Sequence, residues 1–137
     1  MRLEERLRQC KVQGDRAEDR FKELMDAKGR FCMPSYPKQN MEDHIDFFVD
    51  DVGIDVKSNR HLDSIWLELN NVQGKPGWLK GKADFIVMDI KELKGFYFFS
   101  RTDLLDYCSN ITETAKHKFE YNKLYTRKGR KDLLVAI

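Results

Sequence analysis

Residues 44–58 read HIDFFVDDVGIDVKS, and the way this stretch folds decides how the rest of the chain can be arranged. Ile45, Phe47 and Val49 alternate with His44, Asp46 and Phe48; beyond Asp50-Asp51, Ile54 and Val56 alternate with Asp55 and Lys57. Period-two patterning on both sides of a short break predicts a β-hairpin. A two-residue loop, Asp50-Asp51, puts Asp46 opposite Asp55, whereas a four-residue loop, Asp50 to Gly53, puts Asp46 opposite Lys57. Either even-length loop sends Asp46, Asp55 and Lys57 to one face and Ile45, Phe47, Val49, Ile54 and Val56 to the other. A three-residue loop would bury carboxylates or expose the apolar set, because side chains change face at every residue of a strand. The expected result is two carboxylates and an ammonium on one sheet face above an apolar underside.

Upstream, residues 1–27 read as helical. Leu3, Leu7 and Cys10 keep a helical spacing, and Ala17, Phe21, Leu24 and Lys28 repeat it after Gly14. Gly14-Asp15 predicts a restart, with Asp15 as N-cap and Glu18 in the capping-box position. Residues 30–43 (RFCMPSYPKQNMED) read as loop, with Phe31-Cys32 as a short edge strand. Downstream, a turn at Arg60-His61-Leu62-Asp63 leads into Ile65 to Leu69, where Ile65, Leu67 and Leu69 alternate with Trp66, Glu68 and Asn70. That pattern predicts a third half-buried strand. If it pairs beside Asp55, Glu68 joins the aspartates on their face.

Ala83 to Asp89 and Gly95 to Ser100 are near-continuous apolar runs, suggesting two central strands. Thr102 opens a helix through Cys108, and Leu133 to Ile137 (LLVAI) predicts a last strand. The order of elements implies one α/β (α+β) domain over residues 1–137, with a mixed sheet.

A chain of 137 residues is long enough for a proper core, and 12% aromatic content argues against disorder. The net charge of +2 says little, but its distribution says more. Residues 42–55 carry six acidic side chains and no Lys or Arg; residues 116–131 carry seven basic ones against Glu120 alone. An acidic pocket beside a basic surface suits an enzyme that uses a metal on nucleic acid, since the metal offsets the carboxylates and the cations hold phosphates. Three cysteines, Cys10, Cys32 and Cys108, are odd in number and widely spaced, which suggests neither a disulfide framework nor a zinc site. The N-terminal MRLEERLRQ has no apolar signal region and no run reaches membrane-span length, so a cytoplasmic, reducing setting without membrane attachment is expected.

Asp46, followed nine residues on by Asp55-Val56-Lys57 on adjacent strands behind a helix carrying Glu18, resembles the PD-(D/E)XK nuclease superfamily. That superfamily includes restriction endonucleases, Holliday-junction resolvases and phage endonucleases. The resemblance spans residues 14–100; Ile45 stands where the family's proline precedes the first aspartate. It implies a restriction-endonuclease-like core with a mixed central sheet flanked by helices. It also implies Asp46 and Asp55 as metal ligands, with Val56, the middle of the triplet, completing the metal set. Lys57 would activate water, and Glu18 would be a further ligand or support. Mg²⁺ or Mn²⁺ is the implied cofactor, DNA the implied partner, and a homodimer of phage or mobile-element origin the implied setting.

Elementary chemistry points the same way. Phosphodiester hydrolysis needs a hydroxide-like nucleophile and stabilisation of charge on oxygen, and a hard divalent cation held by carboxylates supplies both. Two carboxylates ~5 Å apart on neighbouring strands repel until a cation sits between them. Other readings stay open. Asp46 and Asp55 could be solvated residues on a polar face, Lys57 could simply pair with Asp46, and Glu18 could serve only as a cap. Glu68 is equally readable as an additional ligand or a solvent-facing residue. Asp43, Asp50 and Asp51 read as turn and strand-end residues, and His44 and His117 as surface histidines. In QGKPGWLKGK (residues 73–82), Lys75, Trp78, Lys80 and Lys82 form either a DNA-gripping loop or a hairpin connection whose Trp packs on the core. Arg127, Lys128, Arg130 and Lys131 read as phosphate contacts or as a solvated turn. The functional alternatives are a nuclease-fold binding module without catalysis and a protein-interaction domain acting as an inhibitor.

Overall fold

The computed structural model describes residues 2–59, 63–90, 93–118 and 120–137, the side chains of Leu3, Arg6, Leu7 and residues 9–15 excepted. Helix α1 (Leu3–Ala27) is followed by strand β1 (Cys32–Pro34), helix α2 (Pro37–Glu42), strands β2 (Phe47–Val49), β3 (Val52–Asn59) and β4 (Trp66–Asn70), and a 3₁₀ turn at Trp78–Lys80. Strands β5 (Phe85–Ile90) and β6 (Gly95–Ser100), helix α3 (Arg101–Ser109), and strands β7 (Leu124–Tyr125) and β8 (Leu133–Ala136) complete the order.

Two sheets form where one was expected. The larger has five strands in the order β1-β2-β3-β5-β6, with β3 and β5 parallel and the other pairs antiparallel. The smaller has three antiparallel strands in the order β4-β8-β7. The mixed α+β fold class stands. The hairpin closes through the two-residue loop: Phe47 pairs with Ile54 and Val49 with Val52, and Asp50 and Asp51 take φ of 48° and 70°. Two successive left-handed residues are what a tight turn needs to match the strand twist.

Four expectations change. Helix α1 runs unbroken through Gly14 and Asp15, so there is no helix restart ahead of Glu18; one helical glycine costs only about 1 kcal/mol, which adjoining turns absorb. Residues 37–42 are helical, not loop: Pro37 occupies the first turn, and the Tyr36 N–H donates to Gln39 Oε1 at 3.0 Å. Strand β4 pairs with β8 and not beside Asp55. Of the two expected central strands, only β5 is central; β6 is an edge with Tyr97 and Phe98 exposed. The turn residues Arg60, His61 and Leu62, the Asp15 cap, and the spacing of Leu3, Leu7 and Cys10 lie outside the described residues or side chains.

The core divides along the larger sheet. On one face Ala17, Phe21 and Met25, spaced four apart on α1, pack on Cys32, Phe47, Ile54, Val56 and Val87. On the other, Ile86 and Met88 pack with Leu67, Leu69, Leu79, Cys108 and Val135 from the smaller sheet, the 3₁₀ turn and α3. Cys32 and Cys108 are free and buried. Arg101 ties α3 to the chain entering β5 by donating to the carbonyls of Ala83 and Leu79 at 2.5 and 3.1 Å. Among the described residues no helix is long and apolar enough to cross a membrane.

Candidate active site

Strand β3 alternates its side chains between the two core faces, and this places the site. Ile54 and Val56 enter the α1 cluster; Asp55 and Lys57, one step out of phase, face the smaller sheet beside Ile86 and Met88, their register partners on β5. Asp55 is only 2% exposed. Its Oδ1 lies 3.2 Å from Lys57 Nζ, and its Oδ2 is buried and accepts no hydrogen bond from any described residue, with the Asp46 carboxyl beside it. Burial pushes the Asp55 carboxyl up to about 7, against the pull of Lys57, and the Asp46 carboxyl beside it adds to the rise.

Asp46 sits just before β2 and is held from two sides. Its Oδ2 accepts the Val56 N–H at 2.8 Å, and its Oδ1 accepts Asn40 Nδ2 at 2.6 Å. Strand β2 begins at Phe47, so beyond Ile54 the β3 backbone on that side meets the Asp46 side chain where a further ladder residue would stand. His44, with φ of 55°, interrupts the strand pattern just upstream. That interruption changes the place of Ile45: it is buried, but its Cδ1 lies over Gly53, on the Asp55 side of β3.

Glu68 reaches the cluster by packing of the second sheet. Its Oε1 accepts the Trp78 N–H at 3.4 Å, and the Trp78 ring lies under Lys57, 5.1 Å from Nζ to the ring centroid. The loop before Trp78 comes so close that a Cβ on Gly77 would meet Glu68 Cγ and Oε1 at 2.7 Å and its carbonyl oxygen at 2.8 Å. Glycine is needed there for space. His44, read from sequence as a surface residue, is half-buried in this cluster. Burial and Lys57 hold its pKa below the ordinary value, while Glu68, Asp46 and Asp43 oppose them. His117 is exposed, as expected.

The structure therefore brings together Asp46, Asp55, Lys57 and Glu68, and adds Asn40, His44 and Trp78. Val56 contributes through its main chain; its side chain belongs to the α1 core. Glu18 is half-buried on α1, whose Ala17, Phe21 and Met25 pack on the opposite face of the sheet. Lys57 pairs with Asp55 on its own strand, not with Asp46 across the hairpin. Asp50 and Asp51 form the hairpin turn, and Asp43 ends α2. Among the described residues no three His, Cys, Asp or Glu side chains gather as a ready metal cluster.

Several of the basic residues lie in two loops that touch beside the smaller sheet. Lys131 N–H donates to the Val72 carbonyl, and a Cβ on Gly74 would lie 3.4 Å from Lys131 Cβ, so the 71–75 and 127–131 loops touch. Lys75, Lys128, Arg130 and Lys131 are exposed. Arg127 is partly committed, its Nε 2.6 Å from the buried Asp132 Oδ2. Lys80 donates to Asn70 Oδ1 at 3.0 Å, and Lys82 Nζ lies 3.6 Å from Asp43. Trp78 is half-buried against the second core cluster, as the hairpin-connection reading has it. Asn40 gave no signal in the sequence because α2 itself was read as loop. His44 had one: it stands two residues before Asp46.

No protein-family model and no curated protein sequence matches the chain. A solved structure does: that of a bacterial homing endonuclease, I-Ssp6803I, matches at a TM-score of 0.54 and 18% identity, covering 80% of this chain and 82% of that one. The likeness is one of fold, and the mixed α+β architecture carrying the Asp46–Asp55–Lys57 cluster is a nuclease-like fold.

Proposed function

We propose that this chain is a metal-dependent endonuclease that hydrolyses phosphodiester bonds in DNA, of the PD-(D/E)XK type. One observation carries the reading: a carboxylate buried to 2% exposure keeps one oxygen without a partner, beside a second carboxylate and a lysine, within an endonuclease-like fold. Buried polar atoms without partners are costly and uncommon, and the half-buried Asp46 carboxylate beside Asp55 raises the cost further. A divalent cation bound there would relieve both.

The residues present fit such an ion in their chemistry. Mg²⁺ or Mn²⁺ takes hard oxygen donors, and Mg²⁺ is commonly held by one or two carboxylates, with water and substrate phosphate filling the other positions. Asp46 and Asp55 would supply the carboxylates. The Val56 carbonyl would be a main-chain donor, since in an extended strand it points to the same side as the N–H that Asp46 accepts. The bound ion would lower the pKa of a water and offset charge on the phosphate. Lys57, held between Asp55 and the Trp78 ring, is placed to orient that water, and Glu68 to support the cluster from outside. Asn40 keeps Asp46 turned toward β3.

Incubating the protein with supercoiled plasmid, single-stranded and branched DNA plus Mg²⁺ tests the reading. Cleavage of at least one substrate is expected, with loss on the order of 10³-fold in Asp55→Asn, as befits several kcal/mol of metal-supplied stabilisation. Absence of cleavage on every substrate, or full activity in Asp55→Asn, overturns it.

A further inference from the structure

On the smaller sheet, Trp66 of β4, Leu134 of β8 and Tyr125 of β7 border a cleft of about 230 Å³ that is completed by Lys118 and Arg127. The Trp66 and Tyr125 rings lie 5.8 Å apart at 53° and do not belong to either buried cluster. Register fixes what this cleft adjoins. Glu68 pairs with Leu134, and Leu134 with Tyr125, so all three share a face, and Trp66, two residues from Glu68, shares it too. The opposite face carries Leu67, Val135 and Leu124 into the core. Glu68 is also the residue that borders the Asp46–Asp55–Lys57 cluster.

With strands ~4.8 Å apart and ~3.4 Å per residue, Trp66 stands ~7 Å and Tyr125 ~10 Å from Glu68. A DNA strand, rising ~3.4 Å per nucleotide, covers that span in about two to three nucleotides. We propose that this cleft holds one nucleotide of the cleaved DNA strand a few positions from the scissile bond, its phosphate on Lys118 and Arg127 and its sugar or base against Trp66 and Tyr125. The proposal deepens the endonuclease reading and rests on it for the identity of the strand.

The chemistry of the lining suits that occupant. Aromatic faces stack on any base, and flanking cations hold the backbone. Arg127 is pre-placed, since buried Asp132 accepts its main-chain N–H at 2.9 Å and its Nε at 2.6 Å. The guanidinium has two further nitrogens able to donate to a phosphate. Around the cleft, the 116–131 segment adds Lys128, Arg130 and Lys131 from one loop, all exposed.

The test measures binding separately from cleavage. A labelled oligonucleotide is titrated with the protein in Ca²⁺ across a salt series, using the wild type, Lys118→Ala and Tyr125→Leu, with a thermal melt for each. Lys118→Ala should weaken binding several-fold and flatten the slope of log affinity against log salt by about one. Tyr125→Leu should weaken binding about tenfold and leave that slope unchanged. Wild-type affinity and slope in Lys118→Ala, with Tyr125→Leu either unaffected or unfolded, overturn the proposal while leaving the endonuclease reading in place. The expected losses in a protein that cleaves nothing sustain the cleft as a nucleotide site but overturn the endonuclease, and with it the placement beside a scissile bond. A wild type that binds no DNA overturns both.

Discussion

The two faces of β3 make an instructive pair. Toward α1 the strand presents Ile54 and Val56 to a layer in which Phe21 is fully buried, its ring centroid 5.7 Å from Phe47, 5.6 Å from Phe96 and 6.1 Å from Phe98. Toward the smaller sheet, one residue out of phase, it presents Asp55 at the same depth and Lys57 half-buried above it. The first face gains free energy from every contact it makes. The second loses it, because Asp55 is desolvated and one of its oxygens has no partner. A strand can hold such a residue only when its other face is strong enough to keep it in place. The α1 layer is thus what allows a strained charge to persist on the opposite side.

The sharpest way to break this contrast is at Phe21. Phe21→Ala should cost about 3–5 kcal/mol, since it removes a fully buried ring with three aromatic neighbours. Urea denaturation reads this directly. A loss under about 1 kcal/mol would mean that the α1 face is not what anchors the strand.

The other face should respond with the opposite sign. The Asp55 pKa in the fold, about 7, lies above its ordinary value of 3.8, so the native protein keeps a proton that the unfolded chain has released between those values. Stability from this group is therefore greatest below about pH 4, declines as pH rises through the window, and levels off above about pH 7. Asp55→Asn carries no titrating charge, so without divalent cation it should be more stable than the wild type, by a margin that grows on the order of 2 kcal/mol between about pH 5 and about pH 8. Parallel melts at the two pH values check the sign. Adding Mn²⁺ at the higher pH should stabilise the wild type and leave the variant unmoved.

The smallest effect is expected at Trp78, whose ring supports Lys57 without touching either carboxylate in the hydrogen-bonding pattern. Trp78→Leu keeps an apolar side chain against the second core cluster and removes the cation–π contact, so cleavage should slow about tenfold. Mn²⁺ affinity, read from the thermal shift, should stay within about twofold. A loss of affinity as large as the loss of rate would mean that Trp78 shapes the carboxylates and not the lysine.

Much of the β3 hairpin was legible beforehand because its signal is local. Period-two alternation on both sides of Asp50-Asp51 puts Asp55 and Lys57 on one face and Ile54 and Val56 on the other, whichever even-length turn closes it. The choice between two-residue and four-residue turns was not legible, since Asp50, Asp51 and Gly53 all tolerate turn geometry. Short-range conflicts also misled. Gly14-Asp15 has the chemistry of a helix start, but the flanking turns carry the helix through it. Two prolines suggested loop over residues 30–43, although Pro37 stands where a helix begins.

The sequence by itself determined the alternation of β3, the helical spacing of Ala17 and Phe21 that covers one of its faces (the structure continues it through Met25, leaving Leu24 and Lys28 exposed), and the crowding of acids before residue 56 and of bases after residue 115. These are set by neighbours within a few positions, through the pleat of a strand and the pitch of a helix. Only the tertiary structure decided that β4 joins β8 and not β3, and that Glu68 nevertheless returns to the aspartates. It also placed Trp78 under Lys57 and Trp66 against Tyr125, 59 positions apart in the chain. Pairings of that kind depend on which sheet edge is left open once the core has closed, and no pattern within a single segment records it.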